Sequence, residues 1–197
     1  MLPIMLNSAV WLVLATSFSI LLVQNWRWML GLLAVQYVGV MGLVAYSWPL
    51  EIAVVKLVAG WMAASVLMMT HLNLPALKVD QEPLLLPGIL FRGLTAVLIA
   101  LYVYSLLPEA LRWFLSATPQ QALGGLLLLG LGLLQAGLAL TGIRIVLAML
   151  TVLSGFEILY ATLEASVLMT GLLAVLQVGI AFVGAYLQFS AQLEVER

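Results

Sequence analysis

Two residues of opposite charge lie within apolar stretches of this sequence, where an ionised side chain is costly. Glu157 lies in residues 142–188, which are apolar and long enough to cross a bilayer twice, and Lys56 lies in an earlier apolar segment. A charge near the bilayer centre costs at least about 2.5 kcal/mol, so such residues face protein or water and commonly mark ion pathways. A buried carboxyl group of this kind either sits beside a partner or takes up and releases a proton. Glu157 and Lys56 are therefore the candidate proton-relay residues.

The two candidates are predicted to lie at a similar depth. Glu157 precedes Glu164 by seven residues, which places it roughly 10 Å from the end of its helix. Lys56 lies about as far from the start of its own helix. Side chains of opposite charge at one depth pair directly or exchange protons through water. The alternative is a structural ion pair that only fixes helix packing, although buried pairs contribute little net stability.

Four further polar residues are candidate supporting groups: Gln36, Gln177, Arg92 and His71. Intramembrane glutamines commonly hydrogen-bond between helices, and the same interpretation applies to Gln135. Arg92 lies about two turns from a membrane face, where an arginine can extend its side chain to the headgroups. His71 ends an apolar segment, so it is interfacial, and a histidine there suits proton entry.

Composition assigns the chain to the polytopic membrane proteins. Of 197 residues, 65% are hydrophobic and 8% are charged, and the mean hydropathy is +1.21. Seven Lys and Arg against eight Asp and Glu provide no basic surface for nucleic acid. With no Cys and one His, disulfides, thiolate clusters and a His/Cys zinc site are excluded. We therefore expect no catalytic residue, no cofactor and no metal, and the chain does not itself carry electrons in a redox complex.

Hydropathy and breaker residues predict an all-α bundle of about seven transmembrane helices. Their expected ranges are 7–24, 28–47, 51–70, 84–107, 122–140, 143–160 and 166–188. The fifth helix is rich in Gly and Leu, so it should pack closely against a neighbour. Residues 108–121 are expected to form a loop after Pro108.

The distribution of cations predicts the orientation. With seven crossings, Arg27, Lys78, Arg144 and Arg197 lie on the side of the C-terminus, while Arg112 lies on the other side. The positive-inside rule then places the N-terminus outside and the C-terminus in the cytoplasm. The expected location is the inner or cytoplasmic membrane of a bacterium or archaeon.

A weak internal repeat divides the chain. A shift of about 121 residues aligns Gln36 with Glu157 and Lys56 with Gln177. Arg27 and Arg144, however, align with a shift that is about one helical turn smaller. The fold class expected is a parallel repeat of two three-helix units joined by one extra helix. The corresponding units are residues 1–71, a linking loop and fourth helix in 72–119, and residues 120–197.

The segment from Leu153 to Ala161, LSGFEILYA, resembles the second helix of the K component of complex I and of the C component of multisubunit Na⁺/H⁺ antiporters. In that family a Gly, an apolar residue and the intramembrane Glu recur in this order. Over nearly its whole length the chain resembles the membrane component E of hydrogenase-4. That component has a Gln-bearing helix and a Lys-bearing helix, matched here by Gln36 and Lys56. They precede a half that is similar to the K component of complex I and contains the Glu matched by Glu157.

The resemblance implies a non-redox membrane subunit of an ion-translocating complex. Its partners would be antiporter-like subunits and the membrane anchor of the redox arm, within the lipid bilayer, and Glu157 would serve proton or Na⁺ translocation. The chain departs from the family at Gln177. This residue lies near the position where the family has a second acid, and a glutamine side chain cannot titrate. The alternatives are a self-contained secondary transporter and a passive scaffold subunit.

Overall fold

The computed structural model describes residues 2–73, 86–164 and 166–195. These residues form seven α-helices and the turns between them, and they contain no strand. The helices are α1 (Leu2–Leu22), α2 (Trp26–Val44), α3 (Leu50–Asn73), α4 (Leu86–Trp113), α5 (Pro119–Gly137), α6 (Gly142–Ala161) and α7 (Val167–Val195). The predicted all-α bundle is confirmed.

Five of these helices, α2, α3, α4, α6 and α7, are long and apolar enough to cross a membrane. The protein is therefore a helical membrane protein. The remaining two helices, α1 and α5, pack within the same bundle. That α1 and α5 also cross the membrane, which would make seven crossings, stays a prediction.

The predicted end of the fourth helix at residue 107 is wrong, because α4 continues through Pro108 to Trp113. Proline removes one backbone hydrogen bond but does not prevent the following residues from remaining helical. Glu109 and Arg112 then form an ion pair of 3.0 Å across one turn, which favours continuation of the helix. Residues 108–113 are therefore helical, and the loop that precedes α5 is short.

The fifth helix begins three residues earlier than predicted. Thr118 and Gln121 form a reciprocal capping box, and Pro119 occupies the first helical position. The Gln121 amide also donates to the Leu43 carbonyl at 2.9 Å and to the Ser47 hydroxyl at 2.8 Å. One side chain therefore both caps α5 and ties it to the end of α2.

The two ends of the bundle differ in charge. The ends of α1, α3, α5 and α7 lie beside the starts of α2, α4 and α6, and we call this the arginine end, after Arg27, Arg92 and Arg144. At the other end, which we call the tryptophan end, the Trp48 indole N–H donates to the Glu164 carbonyl at 3.1 Å. That bond ties the loop between α2 and α3 to the loop between α6 and α7.

The starts of α1, α2 and α3 recur in α5, α6 and α7 at a spacing shorter than the 121 residues of the predicted repeat. Helices α1, α2 and α3 begin at 2, 26 and 50, and helices α5, α6 and α7 begin at 119, 142 and 167, so the starts differ by 117, 116 and 117 residues. This spacing matches the alignment of Arg27 with Arg144. Gln36 and Glu157 are therefore offset by about one turn rather than equivalent, and the internal repeat itself stays a prediction.

Close contact between α5 and α6 depends on glycine, as predicted for the Gly-rich fifth helix. A Cβ added at Gly155 of α6 would lie 2.7 Å from the Gly125 carbonyl oxygen and 2.7 Å from the Leu129 backbone nitrogen, both on α5. Backbone atoms cannot move aside as a flexible side chain can. Small residues let helices approach closely in a bilayer, where apolar burial alone provides little association.

We predict that Gly155→Ala destabilises the bundle by about 1–3 kcal/mol, because the added methyl group forces α5 and α6 apart. Gly171→Ala on α7 is the matched control, since a Cβ there meets nothing within 4 Å. Unfolding of the purified protein in detergent micelles measures both. Equal stability of the two variants would contradict the close packing of α5 on α6.

Candidate functional site: a buried ion pair

The predicted contact between Lys56 and Glu157 is present. The Lys56 Nζ donates to the Glu157 Oε1 at 2.8 Å, and each side chain is 1% exposed. The two residues are 101 positions apart and lie on α3 and α6. The fold therefore brings together the two residues selected from the sequence and removes both from lipid.

Each partner lies on the buried stripe of its helix. On α3 the buried positions include Ala53, Lys56, Gly60 and Ala63, which recur every three or four residues and form one face. The buried face of α6 includes Ser154 and Glu157 in the same way. Lys56 is six residues from the start of α3 and Glu157 is four residues from the end of α6. Both therefore lie nearer the tryptophan end than the arginine end.

Tyr37, Ser154 and Gln177 lie near Glu157, and we call these four residues the polar cluster. Gln36 on α2 and Gln177 on α7 are 1% and 0% exposed. Neither of their amide groups makes a hydrogen bond to any residue that the structure describes, and the same is true of the Glu157 Oε2. Buried polar atoms are nearly always hydrogen-bonded to protein or to ordered water. These atoms are therefore suited to binding internal water.

Tyr37 is a member of this cluster that sequence reasoning missed. Its side chain is 1% exposed, and its hydroxyl lies near Ser154, Gln177 and Glu157. Gly60 makes room for the ring, because a Cβ at that position would collide with it. The signal available was the adjacency of Tyr37 to Gln36. An aromatic residue in a largely apolar helix otherwise has no distinguishing periodicity.

The other supporting candidates lie away from the ion pair, near the arginine end. Arg92 is 7% exposed, so the expectation that it extends to the headgroups is wrong. Its guanidinium donates to the Leu138 carbonyl at 3.4 Å, and Arg144 donates to the Val23 carbonyl at 2.9 Å. Both carbonyls follow the last turn of a helix, where cations are favourable. Both arginines therefore stabilise helix ends inside the bundle.

His71 lies in the last turn of α3, as predicted for an interfacial residue, with its ring centre 4.9 Å from that of Trp26. It is at the opposite end of α3 from Lys56. Gln135 donates to the Ser17 carbonyl at 3.2 Å, which confirms the interhelical role predicted for it. Gln36 and Gln177 make no such bond within the described chain, so their role differs from that of Gln135.

An apolar layer lies between the polar cluster and the arginine end. Leu33 of α2 and Leu147 and Leu150 of α6 are all 0% exposed and pack in one core with Tyr37. Within the described residues, no group of three His, Cys, Asp or Glu is placed to bind a metal ion. The cavity beside Arg92, Gln135 and Arg144 has a volume of about 10 Å³, which is room for one water molecule.

Comparisons with protein-family models, with characterised proteins and with solved structures find no match for this chain. The class of protein follows from its own structure: it is an all-helical membrane protein with a fully buried Lys–Glu ion pair.

We predict that Lys56→Met destabilises the protein by about 3–5 kcal/mol, because it leaves Glu157 as a buried acid without its cation. Adding Glu157→Gln to Lys56→Met removes the uncompensated group and should restore much of the loss. Thermal unfolding in detergent of the wild type, both single variants and the double variant measures this coupling. Additive effects of the two changes would show that the residues do not stabilise each other.

Proposed function

We propose that the protein is a non-redox membrane subunit of a complex I-like or membrane-bound hydrogenase-like complex, and that it contributes to proton or Na⁺ translocation. The observation that carries this proposal is the Lys56–Glu157 ion pair, buried beside polar atoms that have no protein partner in the described chain. A carboxyl group inside a bundle can exchange a proton only through neighbouring polar groups or water. The cluster provides these groups.

The arrangement of the cluster suits a relay better than a purely structural role. Buried ion pairs are frequently no more stabilising than apolar residues of similar size, so stability alone is weak grounds for retaining one. Glu157 uses only its Oε1 to contact Lys56, and its Oε2 has no hydrogen-bond partner among the described residues. Protonation of Glu157 would release Lys56 from the pair, which couples the movement of a proton to the charge of the lysine.

The proposed partners follow from the resemblance to the hydrogenase-4 membrane component and to the K component of complex I. They are antiporter-like subunits and the membrane anchor of a redox arm. The sequence has no Cys and a single His, which suits a subunit that does not carry electrons. We also propose that the C-terminus is cytoplasmic, with the arginine end on that side.

A self-contained secondary transporter receives less support. Such proteins bind substrate near the midplane, typically at discontinuous helices. The helices that surround the polar cluster here, α2, α3, α6 and α7, are each continuous in the described structure. The cavity beside the arginines admits one water molecule rather than a solute.

We predict that Glu157→Gln lowers ion pumping by about tenfold or more while the complex still assembles and transfers electrons. The amide preserves shape and hydrogen bonding but cannot carry the proton. The measurement is proton uptake per electron by the purified complex in liposomes. Glu164→Gln is the matched control, since this carboxyl group lies in the exposed loop after α6 and should leave pumping unchanged.

Gln177→Ala separates the relay from the scaffold. Gln177 cannot titrate but lies in the polar cluster, so its loss should lower the ratio of pumped ions to electrons less than Glu157→Gln does, in complexes that still assemble. If Glu157→Gln pumps normally, the buried acid is structural and the protein is a scaffold subunit. If the purified chain alone transports a solute in liposomes, the proposed membership of a complex is wrong.

A further inference from the structure

An apolar groove runs between α3 and α7 on the outside of the bundle. It has a volume of about 650 Å³ and almost no polar surface. The residues that line it are Val54, Val55, Val58, Ala59 and Met62 of α3 and Ala174, Val175, Val178, Gly179 and Phe182 of α7. Several remain well exposed, including Val58 at 49% and Val175 at 71%. The groove therefore faces the membrane.

The composition of this groove differs from that of the exposed face of α4. The groove is lined mainly by Val, Ala and Gly, with Met62 and Phe182 as its two large residues, and a Cβ added at Gly179 would meet nothing within 4 Å. The exposed face of α4 carries large side chains such as Leu98, Leu101 and Tyr102. Small residues are typical of helix–helix contacts in membranes because they allow backbones to approach. The groove therefore suits a helix better than lipid chains.

The protein already contains a helix bound between two parallel helices. Helix α4 packs against both α1 and α5, and its Ala96, which is 0% exposed, lies in one core with Leu21 of α1 and Leu131 of α5. A Cβ added at Gly130 of α5 would lie 2.8 Å from Ile99 of α4, so the helices are in close contact there. The donation from Arg92, near the start of α4, to Leu138, just after α5, fixes α4 antiparallel to α5.

The α3 and α7 pair presents the same orientation as the α1 and α5 pair. All four helices begin at the tryptophan end and finish at the arginine end. Within the described chain, α4 fills the groove of one pair, whereas the groove of the other pair stays open. An occupant that repeats the α4 arrangement would run antiparallel to α3 and α7.

We propose that the groove between α3 and α7 binds an apolar transmembrane helix of a different polypeptide, antiparallel to both. The inference rests on the proposed function, which supplies such a neighbour. Lys56 and Gln177 lie on the inner faces of these same two helices, so the bound helix covers the wall of the bundle nearest the polar cluster. The partner would present uncharged side chains, because the groove offers no polar group to pair with a charge.

A photoreactive amino acid at Val175 tests this proposal in native membranes. We expect an adduct whose cross-linked peptide maps to an apolar transmembrane segment of another chain. The same probe at Leu101 of α4, which is 62% exposed, is the matched control and should form no protein adduct. Adding Gly179→Leu projects a large side chain into the groove from a position where an added Cβ meets nothing within 4 Å, and it should lower the yield at Val175 to that of the control.

Two outcomes would overturn the proposal. An adduct at Val175 with lipid alone would make the groove an acyl-chain site, and an adduct with a second copy of this chain would make it a homodimer interface. Glu157→Gln should keep the adduct, since the polar cluster and the groove are separate. If Glu157→Gln loses pumping and Val175 forms no protein adduct, the proposed binding of a helix in the groove is refuted while the proposed function stands.

Discussion

The contact between Lys56 and Glu157 sets the strongest constraint on how the helices pack, because both charges must be enclosed together. Removing two charges from water costs several kcal/mol per ion, and only close geometry offsets this cost. The separation of 2.8 Å and the near-complete burial of both side chains require that α3 and α6 be held in fixed register. Helices α2 and α7 complete the enclosure with Tyr37 and Gln177. The glycine contacts between α5 and α6 hold α6 from its other side.

The same constraint shapes the route that an ion would follow. Near the tryptophan end, Glu157 lies only four residues from the end of α6. Towards the arginine end, Leu33, Leu147 and Leu150 close the bundle with apolar side chains. A proton at Glu157 would therefore need either wetting of this leucine layer or a lateral path between helices. The groove between α3 and α7 is one place where a lateral path could begin. A helix docked there would lie against the side of the bundle that contains Lys56 and Gln177.

Sequence alone predicted the class of fold and the ion pair, for physical reasons that can be named. Composition required a membrane bundle, and the cost of charge in lipid made Lys56 and Glu157 conspicuous and mutually attractive at similar depth. It did not predict that Arg92 is buried, because the acceptor at Leu138 is supplied by a different helix. The sequence also did not predict that α4 continues through Pro108, because a proline is typical of the end of a helix. The burial of Tyr37 and the groove between α3 and α7 depend on how the helices pack together. In helices that are apolar on nearly every face, the sequence pattern does not show which face packs inward.

Infrared difference spectroscopy of the working complex tests the central claim most directly, because it detects the protonation of a buried carboxyl group itself. We expect a carboxylic acid C=O band that appears and decays during turnover in the wild type. The band should be absent in Glu157→Gln and unchanged in Glu164→Gln. A band that persists in Glu157→Gln, or no carboxylic acid signal in a wild-type complex that pumps ions, would contradict the assignment of Glu157 as a proton-carrying group.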